Sequence, residues 1–376
     1  MYEPIAKRGM ADIIDGKDIV SVTHLKDVDG VAAPAILEYV FPGGRVKKVI
    51  FSDFEKKAIE ESLAIIKKVN PVNSVVIFSD LSFGEAELAT YKQIFETLKQ
   101  GNNIIVWLDH HPISSSSVMQ FLVEHADYVI AGENKDYCGA ELVAEHIAKA
   151  LGKYDQEIEH IAYVAHISDF NLRNKDPIVD KKLDKVSMAI ASYLDDNTGI
   201  QEGLFKMVEA FVADPYDFDK NEFIQEKARL YEEKQNVLKS ELKDNSYAID
   251  FNGHKAVIGF NYSGSLQTND GCSFLFNLPN AAGAEMAIYV KAQRGTAHIR
   301  VIGESKIDSV PFAQSMGGNG HPHASAFGLP KQVDKNRLQS SNDIERRDEQ
   351  EKFAKSMQIL LSEFYKGKDR KIIKDA

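Results

Sequence analysis

At 376 residues the chain is longer than one ordinary domain, so two domains are expected. Hydrophobic residues at 44% and charged residues at 27% suit a globular protein with a buried core and set disordered and fibrous classes aside. A formal net charge of −11 argues against coating long duplex nucleic acid, which is driven by neutralising many phosphates; a small anionic substrate stays compatible with it if some of the acids hold cations.

Cys138 and Cys272 stand far apart and outside any Cys-x-x-Cys pattern, which gives neither a disulfide framework nor a thiolate zinc site, and core positions are expected for both. No apolar run reaches the roughly 18 residues of a membrane span, and Met1 to Arg8 lacks the apolar stretch of a signal peptide. The expected location is the cytoplasm, with no membrane partner.

In chain order, Asp18 to Thr23 reads as a first strand, followed by the acidic turn Asp27-Val28-Asp29-Gly30 and a helix over Val31 to Val40, with Pro34 in its first turn. Gly30 is expected to permit a sharp reversal. A calcium loop does not fit, because Leu25 and Ile36 stand where oxygen ligands are needed. Val46 to Phe51 is a second strand and Glu55 to Val69 an amphipathic helix. Ser74 to Ser79 is a buried strand ending at Asp80. A helix over 85–99 precedes the strand Ile104 to Leu108, which ends in Asp109-His110-His111-Pro112. A short strand at Asp127 to Ile130, a helix over Gly139 to Leu151 and a helix over Glu157 to Ile167, ending at Asp169, complete the half. Strands that alternate with helices and end in acids describe a doubly wound parallel sheet with its ligand site at the strand ends. Acids gathered at one edge repel unless cations lie between them. Taken alone, Asp169 reads as a solvated helix cap, and the Asp-His-His run as either a metal site or a solvated loop.

Residues 182 to 212 read as helical, and Lys220 to Lys243 as a partly exposed connecting helix. Tyr247 to Phe251 and Lys255 to Phe260 form a hairpin around Asn252-Gly253, and strands follow at Glu285 to Lys291 and Ala297 to Ile302. The run Gly317-Gly318-Asn319-Gly320 is too flexible for any regular element and is expected to be a loop. Ile344 to Tyr365 is a helix whose Phe353, Met357, Leu360, Leu361 and Phe364 share a face expected to pack on the second domain, and a basic tail runs from Lys366 to Ala376. The expected domains are 1–215, a linker over 216–245, 246–330, and a C-terminal helix and tail over 331–376.

Asp27-x-Asp29-Gly30, Asp80 after a strand, Asp109-His110-His111 and Asp169 after a helix resemble, in order and spacing, the four motifs of the DHH phosphoesterase superfamily, which includes RecJ-like and nanoRNase-like enzymes. Gly317 to Ala324 resembles the glycine-rich histidine motif of its second domain, DHHA1. The resemblance implies an N-terminal α/β DHH domain joined by a helical linker to a smaller α/β DHHA1 domain. It also implies two divalent cations, manganese first with magnesium or cobalt as substitutes, which activate a hydroxide. Asp80 would bridge them, Asp27 would hold the first, and Asp29, His110 and Asp169 the second. Asp109 would orient His110, and His111 would face the substrate phosphate. Arg300, Gly317, Gly318, Gly320 and His321 would bind substrate, although Arg300 also reads as an ordinary arginine facing solvent from a strand. In the family the first-motif histidine stands two or four residues before the first Asp, whereas His24 stands three before. It is either a ligand of the first cation or a residue packed at a strand end.

The implied activity is a phosphodiesterase of exonuclease type that hydrolyses short oligonucleotides or dinucleotides to 5′-mononucleotides. The alternatives are an adenosine bisphosphate phosphatase, a cyclic-dinucleotide phosphodiesterase, or a non-enzymatic nucleotide-sensing protein. A homodimer is compatible with the family.

Overall fold

The computed structural model describes residues 4–366 apart from 114, 135, 173, 174, 197, 198, 265 and 304, and the side chains of 195 and 196. The tail beyond Lys366 therefore lies outside the described residues. The chain divides at Tyr231 into two compact units.

The first unit carries β1 (Ile5–Ala6), α1 (Met10–Ile14), β2 (Ile19–His24), α2 (Val28–Val40), β3 (Val46–Ser52), α3 (Lys56–Val69), β4 (Val75–Ser79), α4 (Leu88–Gln100), β5 (Ile104–Leu108), α5 (Ser116–His125) and β6 (Tyr128–Ile130). After them come α6 (Gly139–Val143), α7 (Gln156–Asp169), α8 (Pro177–Asp196) and α9 (Ile200–Ala213). The sheet order is β1-β6-β5-β4-β2-β3. All neighbours are parallel except β1 against β6. This is the doubly wound sheet expected. One face packs against α2, α6, α7 and α9, the other against α3, α4 and α5, where Phe78 stacks on Trp107 at 5.1 Å beside Phe95 and Tyr91. From β2 the chain leads to β3 on one side and later to β4 on the other, so the strand order reverses between β2 and β4. A crevice opens at such a point beyond the carboxyl ends of the strands.

Helix α2 differs from the sequence reading in three ways. It starts at Val28 rather than Val31, because the Asp27 carboxylate accepts the Gly30 N–H at 3.0 Å and caps the first turn. Pro34 is then an interior residue and leaves the Gly30 carbonyl without its helical donor; the Thr23 hydroxyl donates to that carbonyl at 3.1 Å instead. Gly30 has no positive φ. A Cβ there would come within 2.0 Å of the His24 carbonyl oxygen, so glycine is needed for close approach and not for a reversal. Further along, the helix expected over 139–151 stops at Val143 and widens into a π turn over Ala144–Ala148, and α8 and α9 divide the stretch read as one helical region.

Helix α10 (Glu222–Asp244) contains the division point. The second unit continues with β7 (Ser246–Phe251), β8 (His254–Asn261), α11 (Thr268–Phe276), β9 (Met286–Lys291), β10 (Thr296–Val301), α12 (Val310–Ser315), β11 (Asn319–His321), β12 (Ala324–Gly328), α13 (Lys335–Leu338) and α14 (Asp343–Tyr365). Its sheet runs β11-β12-β10-β9-β8-β7, antiparallel except for β8 beside β9. Phe353, Met357 and Leu361 of α14 are buried against the second unit's core, as the apolar stripe predicts. The glycine-rich run departs from expectation. Asn319–His321 is a strand paired with β12, and its glycines admit that partner closely, since a Cβ at Gly318 would lie 1.9 Å from the Ala326 carbonyl oxygen. Among the described residues no helix is long and apolar enough to cross a membrane.

Phe78→Ala removes a fully buried ring from the aromatic layer, and such truncations cost about 3–5 kcal/mol. The urea midpoint read from the fluorescence of Trp107, the only tryptophan in the sequence, is expected to fall accordingly.

Candidate functional site

Four strands deliver chemistry to the crevice. β2 ends in His24, with Asp27 and Asp29 in the turn and first helical turn beyond it; β3 is followed by Asp53, β4 by Asp80, and β5 by Asp109, His110 and His111. Asp169 closes the group from the end of α7. Three sets of ligand atoms lie close enough to share an ion: His24, Asp27 and Asp80; Asp29, His110 and Asp169; and Asp80, His110 and His111. His24 Nδ1 is 3.1 Å from Asp27 Oδ2 and 3.7 Å from Asp80 Oδ2. His110 Nε2 is 3.4 Å from Asp80 Oδ1 and 3.6 Å from Asp169 Oδ2. Thus Asp80 turns one oxygen to each histidine.

Asp80 is held in an unusual way. Its backbone is left-handed, with φ at 55°, a conformation that costs a non-glycine residue energy and that clusters at functional sites. Gly139 makes room for it, because a Cβ at that position would lie 2.5 Å from the Asp80 Cβ. The Asp29 carboxylate accepts the N–H groups of Gly139 and Ala140, both at 2.7 Å, so the amino end of α6 fixes this acid in place.

Burial and crowding set the protonation. Asp80 is pushed well above the carboxylate range, first by burial and then by the charges of Asp29, Asp27, Asp109 and Asp169. Asp29 rises to about 7 by burial and by Asp27 and Asp169, against the opposing pull of its backbone donors. Burial raises Asp169 too. Asp27 goes the other way: burial opposes its charge, but His24 and the Gly30 N–H outweigh it. Burial likewise disfavours a charged His24, yet Asp27 and Asp53 lift it to about 9.

Asp109 makes a pairing the sequence reading did not foresee. Its Oδ1 lies 2.8 Å from His111 Nδ1, so the acid assigned to orienting His110 orients His111. Burial lowers His110, helped by the neighbouring His111, whereas Asp109 raises His111 against its own burial.

The donors suit divalent cations. Asp80 Oδ2, Asp109 Oδ2 and His110 Nε2 are buried without a hydrogen-bond partner, an arrangement that is costly unless something else binds these atoms. The set is oxygen and imidazole nitrogen with no thiolate at the ligand positions, which fits manganese or magnesium.

Sequence reasoning passed over Asp53 and Lys26. Asp53 is buried, lies 3.5 Å from His24 Nε2 and pairs with Lys26; burial opposes its charge, but His24 and Lys26 bring it down to about 2. A signal was present, since Phe51-Ser52-Asp53 repeats Phe78-Ser79-Asp80 at the end of a neighbouring strand.

In the second unit Arg300 donates through Nε and Nη2 to Asn269 Oδ1 at 3.1 and 2.8 Å. Register places His321 opposite Ala324 and Ala324 opposite Arg300, so the histidine and the arginine lie in one row across the sheet. Burial first, and then the charges of Lys291, Arg300 and Arg294, drive His298 down to about 4. Gly317 has φ at 77° and Gly320 at 154°.

Among solved structures, the chain is similar to the exonuclease RecJ bound to manganese (TM-score 0.48, 13% identity, 92% of this chain and 93% of that one). It is similar also to the pGpG-specific phosphodiesterase PggH from Vibrio cholerae (0.48, 12%, 84% and 94%) and to an uncharacterized protein from Helicobacter pylori G27 (0.40, 16%, 92% and 99%). No family model matches the chain, and no curated protein does.

The Asp29 shift carries a stability consequence. Its pKa is about 7 in the fold against an ordinary 3.8, so between these values the folded chain keeps a proton that the unfolded chain has released. Its contribution is full below pH 3.8 and is lost as pH rises through 7. The cation-free protein is therefore expected to melt at a lower temperature near neutrality than in mild acid, and Asp29→Asn to flatten that slope; a calorimetric pH series reads both.

Proposed function

We propose that the chain is a divalent-cation-dependent phosphoesterase that hydrolyses short oligonucleotides or dinucleotides to 5′-mononucleotides. The carrying observation is the position of Asp80: a buried carboxylate within reach of His24 and Asp27 on one side and of His110 on the other, where Asp29 and Asp169 complete a second group. That is the constellation needed for two ions sharing one bridging acid. Two divalent cations, manganese before magnesium or cobalt, would supply an acidified water and neutralise the phosphoryl oxygens.

The remaining work falls to the chain's own residues. Asp27 and His24 would hold one cation, Asp29, His110 and Asp169 the other, with Asp80 between. His111 is more open than His110, 30% against 9% exposed. Asp109 at its Nδ1 leaves Nε2–H to donate to a phosphate oxygen and stabilises the imidazolium that such a contact favours. In the second unit, Arg300 held by Asn269 offers the planar donor set that matches phosphate, with His321 in the same row and with glycines where backbone N–H groups can approach an anion.

Asp80→Ala is expected to reduce turnover by several orders of magnitude and to abolish stoichiometric manganese binding. Wild-type protein with manganese that leaves a short RNA, a linear dinucleotide and cyclic diadenylate all intact would refute the proposal.

Arg300→Ala removes charge-assisted hydrogen bonds of the kind that contribute about 1.5–3 kcal/mol. The Michaelis constant for the preferred substrate is expected to rise about 10- to 100-fold while manganese binding stays unchanged, a split that steady-state kinetics and a metal titration resolve.

A further inference from the structure

We infer that Asp53 is a positioning residue for His24, fixing the tautomer in which Nε2 carries the proton and Nδ1 keeps the lone pair turned toward Asp27 and Asp80. The inference rests on the two-cation reading of the site and assigns a residue that reading does not use.

Both ring nitrogens of His24 face carboxylates. Nδ1 lies 3.1 Å from Asp27 Oδ2 and 3.7 Å from Asp80 Oδ2, and Nε2 lies 3.5 Å from Asp53 Oδ1. A neutral imidazole has one N–H, so one nitrogen must present a lone pair to an acceptor, and that side needs a cation to be stable. The two sides are not equivalent. Asp53 already has Lys26 as a counter-charge and the Phe54 N–H at 2.8 Å. At 3.5 Å from Asp53 Oδ1, Nε2 is buried without a hydrogen-bond partner, and Asp53 is the acceptor it faces; on the other side Nδ1 meets Asp27, and Asp80 Oδ2 is likewise buried with no partner. The missing positive charge therefore belongs beside Asp27 and Asp80, and the N–H belongs on the Asp53 side. Ligating histidines generally donate their second N–H to such a carboxylate, which orients the ring and raises its basicity.

The fold builds this pairing. His24 is the last residue of β2 and sits opposite Ser52 on β3, so the next residue of that strand end, Asp53, comes beside the imidazole. Phe54 then stacks on the His24 ring at 4.5 Å between centroids and 22° between planes, which limits rotation of the ring. A histidine three residues ahead of Asp27 is in this way aimed by a neighbouring strand, and the shift from the family's spacing is accommodated.

The test is a manganese titration of the cation-free full chain followed by electron paramagnetic resonance. Wild type is expected to bind two ions. Asp53→Leu should weaken one of them about 10- to 100-fold, as loss of such supporting partners typically does, and leave the other unchanged. Asp53→Asn, which keeps an acceptor oxygen, should recover part of the loss. Unchanged affinity of both ions in Asp53→Leu overturns the inference while the two-cation reading stands; a wild type that binds no manganese overturns both. Should Asp53→Leu fail to fold, long-range nitrogen NMR of magnesium-loaded wild type decides alone. Protonated Nε2 with a bare Nδ1 on His24 is the expected result, and the opposite tautomer overturns the inference.

Discussion

Asp80 sits where an acid is hardest to keep: fully inside the fold, on a left-handed backbone, within the field of Asp27, Asp29, Asp109 and Asp169. Each circumstance costs free energy, and in combination they would not be tolerated for packing alone. Much of the first unit can be understood as what makes this placement affordable. The amino end of α6 supplies two N–H groups to Asp29 and so absorbs part of the negative charge, and Gly139, at the same helix end, leaves the space that Asp80 occupies. His24 and His110 stand on opposite sides of Asp80, each with one nitrogen toward a different carboxylate oxygen.

The turn after β2 shows how tightly backbone and site are joined. Asp27 caps α2 with one oxygen and meets His24 with the other. Pro34 strips a hydrogen bond from the same first turns, and Thr23, the residue before His24, restores it at the Gly30 carbonyl. Because Gly30 lets the helix approach the end of β2, one short segment brings the imidazole of His24 within ligand distance of Asp27 and supplies Asp29 to the group that holds His110 and Asp169. A site built on strand ends and a capped helix holds its geometry better than one built on loops.

Much of this was legible from residue order. Runs such as Ile104 to Leu108 announced buried strands, and the acids at their ends announced a shared edge, because parallel strands in a doubly wound sheet all finish on one side. What stayed hidden depended on contacts between segments distant in sequence. Asp109 looked like the natural partner of adjacent His110, but beyond the end of β5 its Oδ1 lies against the ring of His111, two residues on. The glycine-rich run looked irregular because glycine lacks propensity; its strand is set by the close approach of β12, which only glycine allows. Asp53 escaped notice because the repeat of Phe-Ser-Asp acquires meaning only once β3 is known to lie next to β2.

The three histidines of the crevice show how one side chain type is divided among tasks. Carboxylates raise two of them against their burial, Asp109 acting on His111, and Asp27 with Asp53 on His24; in His110 burial and the neighbouring His111 outweigh the pull of Asp169 and Asp109. A histidine kept neutral has a lone pair to give at once, whereas one that favours a proton is suited to meeting a negatively charged oxygen unless a cation displaces that proton. His24 belongs to the second kind by electrostatics and to the first by position, since its Nδ1 is turned inward to Asp27 and Asp80 and away from solvent. The same field that draws a proton onto this nitrogen would draw a divalent ion more strongly, because attraction to the surrounding carboxylates grows with the charge it carries.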